Sequence, residues 1–196
     1  MINQAYIQKP LLDLLQMNPD KKAIVCNDQS ISYSELWDMT MSLTEELKCF
    51  GIGKGDFIAV HMSNSIDMVI SIFAILNCNA VVIPVNIDLP HEQITRILAE
   101  SNPKMVLYNE FASPEIKDES ILACCVNYTE LKKNNQSEKG LIIYNPKDLA
   151  YCIFTSGSSG IPKGVLLTYE GIVNHIEAKI SLLNLTCESR LCLSFN

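Results

Sequence analysis

The feature that most constrains the fold of this 196-residue chain is a pair of apolar runs on either side of a loop of small and hydroxyl residues. The runs predict strands at residues 148–155 and 165–168, and the intervening residues 156–164 read Ser-Gly-Ser-Ser-Gly-Ile-Pro-Lys-Gly. Glycines let the backbone approach a ligand closely, and successive amides in such a loop converge on an anion. The hydroxyl groups and the mobile charge of Lys163 add further donors. The pattern therefore predicts a strand–loop–strand unit that holds a phosphate group.

The two common phosphate-binding motifs do not fit this loop. A P-loop needs Gly-Lys followed by Ser or Thr at the start of a helix. Here Lys163 follows Pro162 and precedes Gly164, and the next residues read as a strand. A Rossmann fingerprint would need G-x-G-x-x-G at the start of a helix. The remaining alternative is a flexible Gly/Ser turn in a hairpin, for which residues 157–160 alone would suffice.

Strand-like and helix-like patterns alternate along the rest of the chain. This alternation predicts an α/β fold with a largely parallel sheet flanked by helices, and ligand-binding loops at the ends of its strands. The spacing of apolar residues predicts five helices. Three lie at residues 11–17, 91–101 and 170–183. One begins at a cap at Ser34 and stops at Gly51, and one begins at a cap at Ser65. It also predicts a hairpin at 23–33 and strands at 57–62, 80–85, 104–108, 121–126 and 190–195.

Composition narrows the classes of function. A net charge of −7 argues against general nucleic-acid binding, which favours a basic surface. The N-terminus shows no signal peptide and no apolar stretch has the length of a membrane span, so no membrane partner is expected. The eight cysteines contain no C-x-x-C pair and are interpreted as reduced core residues of a cytoplasmic protein. Three scattered histidines without nearby carboxylate spacing predict no metal site.

The string from Thr155 to Gly164 resembles the phosphate-binding core motif of the adenylate-forming (AMP-binding) enzymes, usually Thr-Ser-Gly-Ser/Thr-Thr-Gly-x-Pro-Lys-Gly. Ser159 stands where threonine is usual, which keeps the hydroxyl group. Residues 31–36, Ile-Ser-Tyr-Ser-Glu-Leu, resemble an earlier motif of the same family. Tyr169 stands where many members have histidine.

Residues 75–86 resemble the family's second motif, with Asn79 in place of glycine and Asn86 in place of aspartate. The following Pro-Val-Asn-x-x-x-Pro pattern, residues 84–90, is more similar to the amino-acid adenylation domains of nonribosomal peptide synthetases than to acyl-CoA synthetases. Residues 1–196 are thus interpreted as the N-terminal portion of an adenylation domain that ends before the substrate-pocket motif.

The resemblance implies an enzyme that joins a carboxylic acid, here an amino acid, to AMP from ATP and releases pyrophosphate. It implies ATP with Mg²⁺ as cofactors, and a carrier protein or CoA as acyl acceptor. No catalytic residue and no metal ligand is assigned. The residues expected to hold the β- and γ-phosphates are Thr155, Ser156, Gly157, Ser158, Ser159, Gly160 and Lys163.

The family's other motifs would come later in sequence, so this chain is expected to be inactive alone. Two alternatives remain open for its role. It could be a non-catalytic binding or interaction module, or one half of a split enzyme that a second polypeptide completes. A fatty or aryl acid, as in acyl-CoA synthetases, is the alternative class of substrate.

Overall fold

The computed structural model describes residues 9–109, 119–122, 124–131, 144–155 and 162–192. Its helices are α1 (Lys9–Met17), α2 (Tyr33–Cys49), α3 (Ile66–Asn77), α4 (His91–Ser101), α5 (Glu119–Leu122) and α6 (Tyr169–Leu182). Its strands are β1 (Lys22–Cys26), β2 (Gln29–Ser32), β3 (Phe57–His61), β4 (Val81–Pro84), β5 (Met105–Tyr108), β6 (Cys125–Asn127), β7 (Leu149–Thr155) and β8 (Lys163–Thr168).

Six of the strands form one mixed sheet in the order β6-β5-β3-β4-β7-β8. Neighbours from β6 to β7 run parallel, and β7 pairs with β8 antiparallel. The first two strands form a separate antiparallel hairpin. The predicted α/β fold with a largely parallel sheet is confirmed.

Apolar side chains cover both faces of the sheet, because successive strand residues point to opposite sides. Ile58 and Val60 of β3 lie in the cluster formed with α2 and α3, whereas Ala59 between them lies in the cluster formed with α4. The three central strands β3, β4 and β5 are almost wholly buried, as continuous apolar runs predict.

The start of α2 differs from its prediction. Ser32, and not Ser34, caps the helix: its hydroxyl accepts from the Glu35 amide at 3.2 Å, and the Glu35 carboxylate accepts from the Ser32 amide at 2.8 Å. This reciprocal pair is a capping box. The predicted cap at Ser65 is confirmed, since its hydroxyl accepts from the Met68 amide at 3.2 Å.

Two of the predicted strands are wrong in whole or in part. The run 121–126 divides into the end of α5 and the start of β6, because a turn closes where the Cys124 amide donates to the Ile121 carbonyl at 3.1 Å. In the run 190–195, residues 190–192 form no strand, and residues 193–195 lie outside the described part.

The cysteines are all free, but the interpretation of all eight as core residues is wrong. Cys78 and Cys152 are buried, whereas Cys49, Cys187 and Cys192 are exposed. None of the described helices is long and apolar enough to cross a membrane.

Candidate functional site

The predicted phosphate loop connects the two strands of the β7–β8 hairpin. Thr155 and Lys163 form the last residue pair of this hairpin, and the Thr155 hydroxyl donates to the Lys163 carbonyl at 3.5 Å. The structure therefore brings the first and last predicted site residues together at the mouth of the loop. Both are exposed. The remaining predicted residues, Ser156, Gly157, Ser158, Ser159 and Gly160, lie outside the described residues.

The mouth of the loop lies at the carboxyl ends of the parallel strands. Tyr151 pairs with Val82 in parallel, so β7 runs in the same direction as β4, and the register of β4, β3 and β5 brings their carboxyl ends to the same edge. Ligands of open α/β sheets bind in the crevice outside this edge. The hairpin thus presents a hydroxyl group and an ammonium group where such folds bind anions.

Gly164, next to Lys163, permits close contact between the two strands. A Cβ atom on this residue would lie 2.9 Å from the Cys152 sulfur and 3.2 Å from Cζ of Phe154. Cys152 is buried, with 4% of its surface exposed, and Phe154 packs against the cluster on the α4 side of the sheet. The glycine that follows the lysine therefore has a packing role beside the loop.

The other end of the hairpin is fixed by backbone hydrogen bonds. The Tyr169 amide donates to the Asp148 carbonyl at 3.0 Å, and the Glu170 amide donates to the Pro146 carbonyl at 2.9 Å. The Asp148 carboxylate also forms an ion pair with Lys54 at 2.7 Å. These contacts join the chain before β7 to the start of α6 at the base of the hairpin.

Two stacked tyrosines lie at this base, and sequence reasoning missed them as a pair. The rings of Tyr144 and Tyr169 are 4.4 Å apart between centroids, at an interplanar angle of 26°. Burial raises the pKa of both phenols, so both hydroxyls stay protonated donors. Tyr169 is thus a buried anchor of the hairpin base, at the position where many family members have histidine. No sequence signal links the two residues, because they are far apart in the chain and share no motif.

The histidines and acidic residues form no metal centre in the described part of the chain. The His61 imidazole makes a hydrogen bond with the Val85 carbonyl through Nδ1 at 3.2 Å, and burial lowers the pKa of this histidine. His175 is exposed on α6. Across the described ranges, no group of three or more His, Cys, Asp or Glu side chains could hold a metal ion.

The comparisons with known proteins agree with this fold. The sequence model of the family described as "AMP-binding enzyme" matches residues 13–193. The chain belongs to this family of AMP-binding, adenylate-forming enzymes. Among its relatives is tyrocidine synthase 3 of Brevibacillus parabrevis, which is 32% identical over 81% of this chain and 2% of the synthase. Surfactin synthase subunit 3 of Bacillus subtilis (strain 168) is 29% identical over 89% of this chain and 14% of that subunit.

Solved structures show the same fold over part of their length. The N-terminal subdomain of Klebsiella oxytoca NpsA, in complex with 3-hydroxybenzoyl-AMSN, superposes with a TM-score of 0.74 at 24% identity. The match covers 85% of this chain and 42% of that subdomain chain. This chain therefore spans less than half of that structure, and only small fractions of the synthases above.

Proposed function

We propose that this chain is the phosphate-loop-bearing N-terminal portion of an ATP-dependent enzyme that activates an amino acid as an acyl-adenylate. The observation that carries the proposal is the hairpin mouth, where Thr155 and Lys163 meet at the carboxyl edge of the sheet. Membership of the AMP-binding family over residues 13–193 supports it. The relatives include a protein named nonribosomal peptide synthetase 7, and this favours an amino acid over a fatty or aryl acid.

In this proposal residues 155–160 hold the β- and γ-phosphates, and Lys163 balances their charge. A carboxylate oxygen of the acid bonds to the α-phosphorus while the bond from that phosphorus to pyrophosphate breaks. Catalysis of such a transfer is mostly positioning and charge stabilisation. The donors at the mouth fit phosphate oxygens but supply no carboxylate for a cation, so Mg²⁺ would arrive with the nucleotide. The acyl acceptor would be a carrier protein or CoA.

A second candidate role follows from the surface beside the hairpin. Apolar side chains on β8 and α6 are exposed, among them Leu166 at 51% and Leu182 at 80%. Exposed apolar patches mark surfaces that bind other protein segments. This favours a chain whose site is completed by further polypeptide, either in the same protein or as the second half of a split enzyme. Residues 1–196 would then be a portion that ends before the substrate pocket.

The phosphate site is tested by following backbone amides of this chain by NMR during titration with ATP. We expect chemical shift changes at the amides of Thr155, Lys163 and Gly164, with a dissociation constant for ATP in the millimolar range. Lys163→Ala should weaken binding by about tenfold, the loss of one charge-assisted contact. Lys179→Ala removes an exposed cation from α6 and should bind ATP like the wild type. Absence of shifts at the mouth, or equal losses in the two variants, would contradict a phosphate site here.

Completeness and substrate class are tested by ATP–pyrophosphate exchange. This chain alone is expected to give no exchange, because positioning needs both halves of a site. Adding the polypeptide that follows these motifs in a related synthetase should produce exchange with amino acids rather than with fatty or aryl acids. Strong exchange by this chain alone would show that the proposal of a partial site is wrong.

A further inference from the structure

We propose that Tyr144 and Tyr169 are positioning residues that fix the orientation of the hairpin mouth, Thr155 and Lys163, which carries the phosphate loop. The inference rests on the proposed function of the loop, but it concerns residues at the opposite end of the hairpin. Neither side chain is near Thr155 or Lys163, so any effect on phosphate binding must travel along β7 and β8.

The hairpin joins the parallel sheet through β7 alone. Between β4 and β7, one residue pair, Val82 with Tyr151, is in ladder register. The last residue of β4 is Pro84, which has no amide hydrogen to extend the ladder. On its other side β7 pairs with β8, which is the edge strand of the sheet. No ladder pair joins β4 to β7 beyond Tyr151 among the described residues, so at the loop end β7 is held by the packing of Cys152 and Phe154 on the α4 side of the sheet.

The two tyrosines add a hydrogen-bonded attachment to α3 on the other face of the sheet. Tyr169 is fully buried and Tyr144 is 2% exposed. The Tyr169 hydroxyl donates to the Leu76 carbonyl at 3.2 Å, and the Tyr144 hydroxyl donates to Oδ1 of Asn77 at 3.3 Å. Both bonds thus end on adjacent residues in the last turn of α3.

The anchor extends one step further into the core. The Asn77 side-chain amide donates to the Thr44 hydroxyl of α2 at 3.3 Å, and the Thr44 hydroxyl donates to the Thr40 carbonyl at 2.8 Å. Buried hydrogen-bond networks favour a single arrangement, because breaking one bond leaves a buried polar group unpaired. The hairpin base is therefore joined to both helices that cover this face of the sheet.

A small movement at the base becomes a large one at the loop. Tyr169 directly follows β8, and Tyr144 comes five residues before β7, so the stack joins both ends of the hairpin. Seven strand residues span about 20 Å at about 3.3 Å per residue. A tilt of about 5° at the base would move the mouth by about 2 Å over this length. Displacements of this size are enough to impair a site that acts by positioning.

The test compares three variants that each remove one buried hydroxyl and keep the ring: Tyr169→Phe, Tyr144→Phe and, as control, Tyr128→Phe. Tyr128 is a buried tyrosine of the same apolar cluster outside the hairpin. Amide hydrogen exchange is measured without ligand, ATP affinity by the NMR titration, and global stability by urea denaturation.

We expect Tyr169→Phe to raise exchange at Thr155, Lys163 and Gly164 by about fivefold, as for loss of one hydrogen bond. ATP affinity should fall by a similar factor, and Tyr144→Phe should act in the same direction. Tyr128→Phe should lower global stability while leaving the mouth amides and ATP affinity close to wild type.

Two outcomes would overturn the proposal. One is amide exchange at the mouth that is unchanged in both hairpin variants. The other is exchange at the mouth that rises in all three variants in proportion to their loss of global stability. The exchange measurement needs no ATP, so it reports on positioning even if the wild type binds none. Failure of the wild type to bind ATP would count against the proposed function and leave the exchange result readable.

Discussion

At the scale of single residues, the hairpin depends on the missing side chain of Gly164. A Cβ atom there would lie 2.9 Å from the buried Cys152 sulfur, closer than ordinary van der Waals contact. We expect Gly164→Ala to lower the free energy of unfolding by about 1–3 kcal/mol, the usual cost of overpacking. Urea denaturation measures this loss.

The cause of that loss is tested by adding Cys152→Ala, which removes the sulfur. The double variant should be more stable than the sum of the two single losses predicts, because the new methyl group would occupy the vacated space. Strictly additive losses would show that the contact with Cys152 is not the reason. A Gly164→Ala protein as stable as the wild type would contradict the close packing altogether.

The cap of α2 offers a second test on single residues, because two serines compete for the role. Ser32→Ala removes the hydroxyl that accepts from the Glu35 amide and should cost about 1 kcal/mol of unfolding free energy. Ser34→Ala keeps the contact of its own amide with the Pro19 carbonyl and should cost less than about 0.5 kcal/mol. Equal losses, measured by thermal or urea denaturation, would contradict the capping box.

At the scale of elements, one ion pair joins the loop before β3 to the start of β5. The Asp56 carboxylate accepts from Lys104 at 2.8 Å and from the Gly53 amide at 2.8 Å. Burial alone would raise the pKa of Asp56, but these two hydrogen bonds outweigh it and the pKa is lowered. The folded state therefore favours the carboxylate form.

This lowered pKa gives a pH dependence of known sign. The ordinary pKa of Asp56 is 3.8, so its stabilisation is present above that pH and is lost as the pH falls through the lower folded-state pKa. Asp56→Asn should be less stable than the wild type at pH 7, by less than about 1 kcal/mol because the pair is partly exposed to solvent. The two proteins should converge as the pH falls from 3.8 through the lower folded-state pKa. Lys104→Ala should show the same convergence, and a gap that widens in acid would contradict this assignment.

The elements also show what the sequence could predict and where it failed. Long apolar runs such as β3 and β4 were predictable because burial on both faces leaves an unbroken apolar signal. The cap of α2 was misplaced by two residues, since Ser32 and Ser34 both precede the apolar positions. The prediction of one strand at 121–126 is wrong because a turn divides this apolar stretch, and a stretch divided in this way shows neither helical nor strand periodicity.

The candidate site divides in the same way. The chemistry of Thr155 and Lys163 is readable from the residue types, and their meeting follows from two strands joined by a short loop. The stack of Tyr144 on Tyr169 is not readable, because tertiary packing brings together residues that no local pattern relates. The phosphate-binding role of the residues between Thr155 and Pro162 remains a prediction, because these residues lie outside the described part of the chain.

At the scale of the whole molecule, burial is uneven. The central strands and most of α3 are buried, whereas in α6 only Tyr169 is buried and residues 174–182 are exposed. Ile172, Ile176 and Ile180 follow at intervals of four residues, so they lie along one side of the helix. Ile172 packs against the core, and the two later isoleucines are each 44% exposed. The apolar stripe thus begins in the core and continues onto the surface beside the hairpin.

This stripe leads to a prediction about the isolated chain. Such a surface is expected to bind an environment-sensitive hydrophobic dye and to promote self-association, seen by light scattering. Ile176→Lys with Ile180→Lys should reduce both signals and leave the unfolding midpoint nearly unchanged, since the two side chains are largely exposed already. The matched control is Asn174→Lys with Ala178→Lys, which adds the same charge at the same helical spacing on exposed positions. If both pairs reduce association equally, added charge is the cause; if only the isoleucine pair does, the stripe is the surface that further polypeptide would cover.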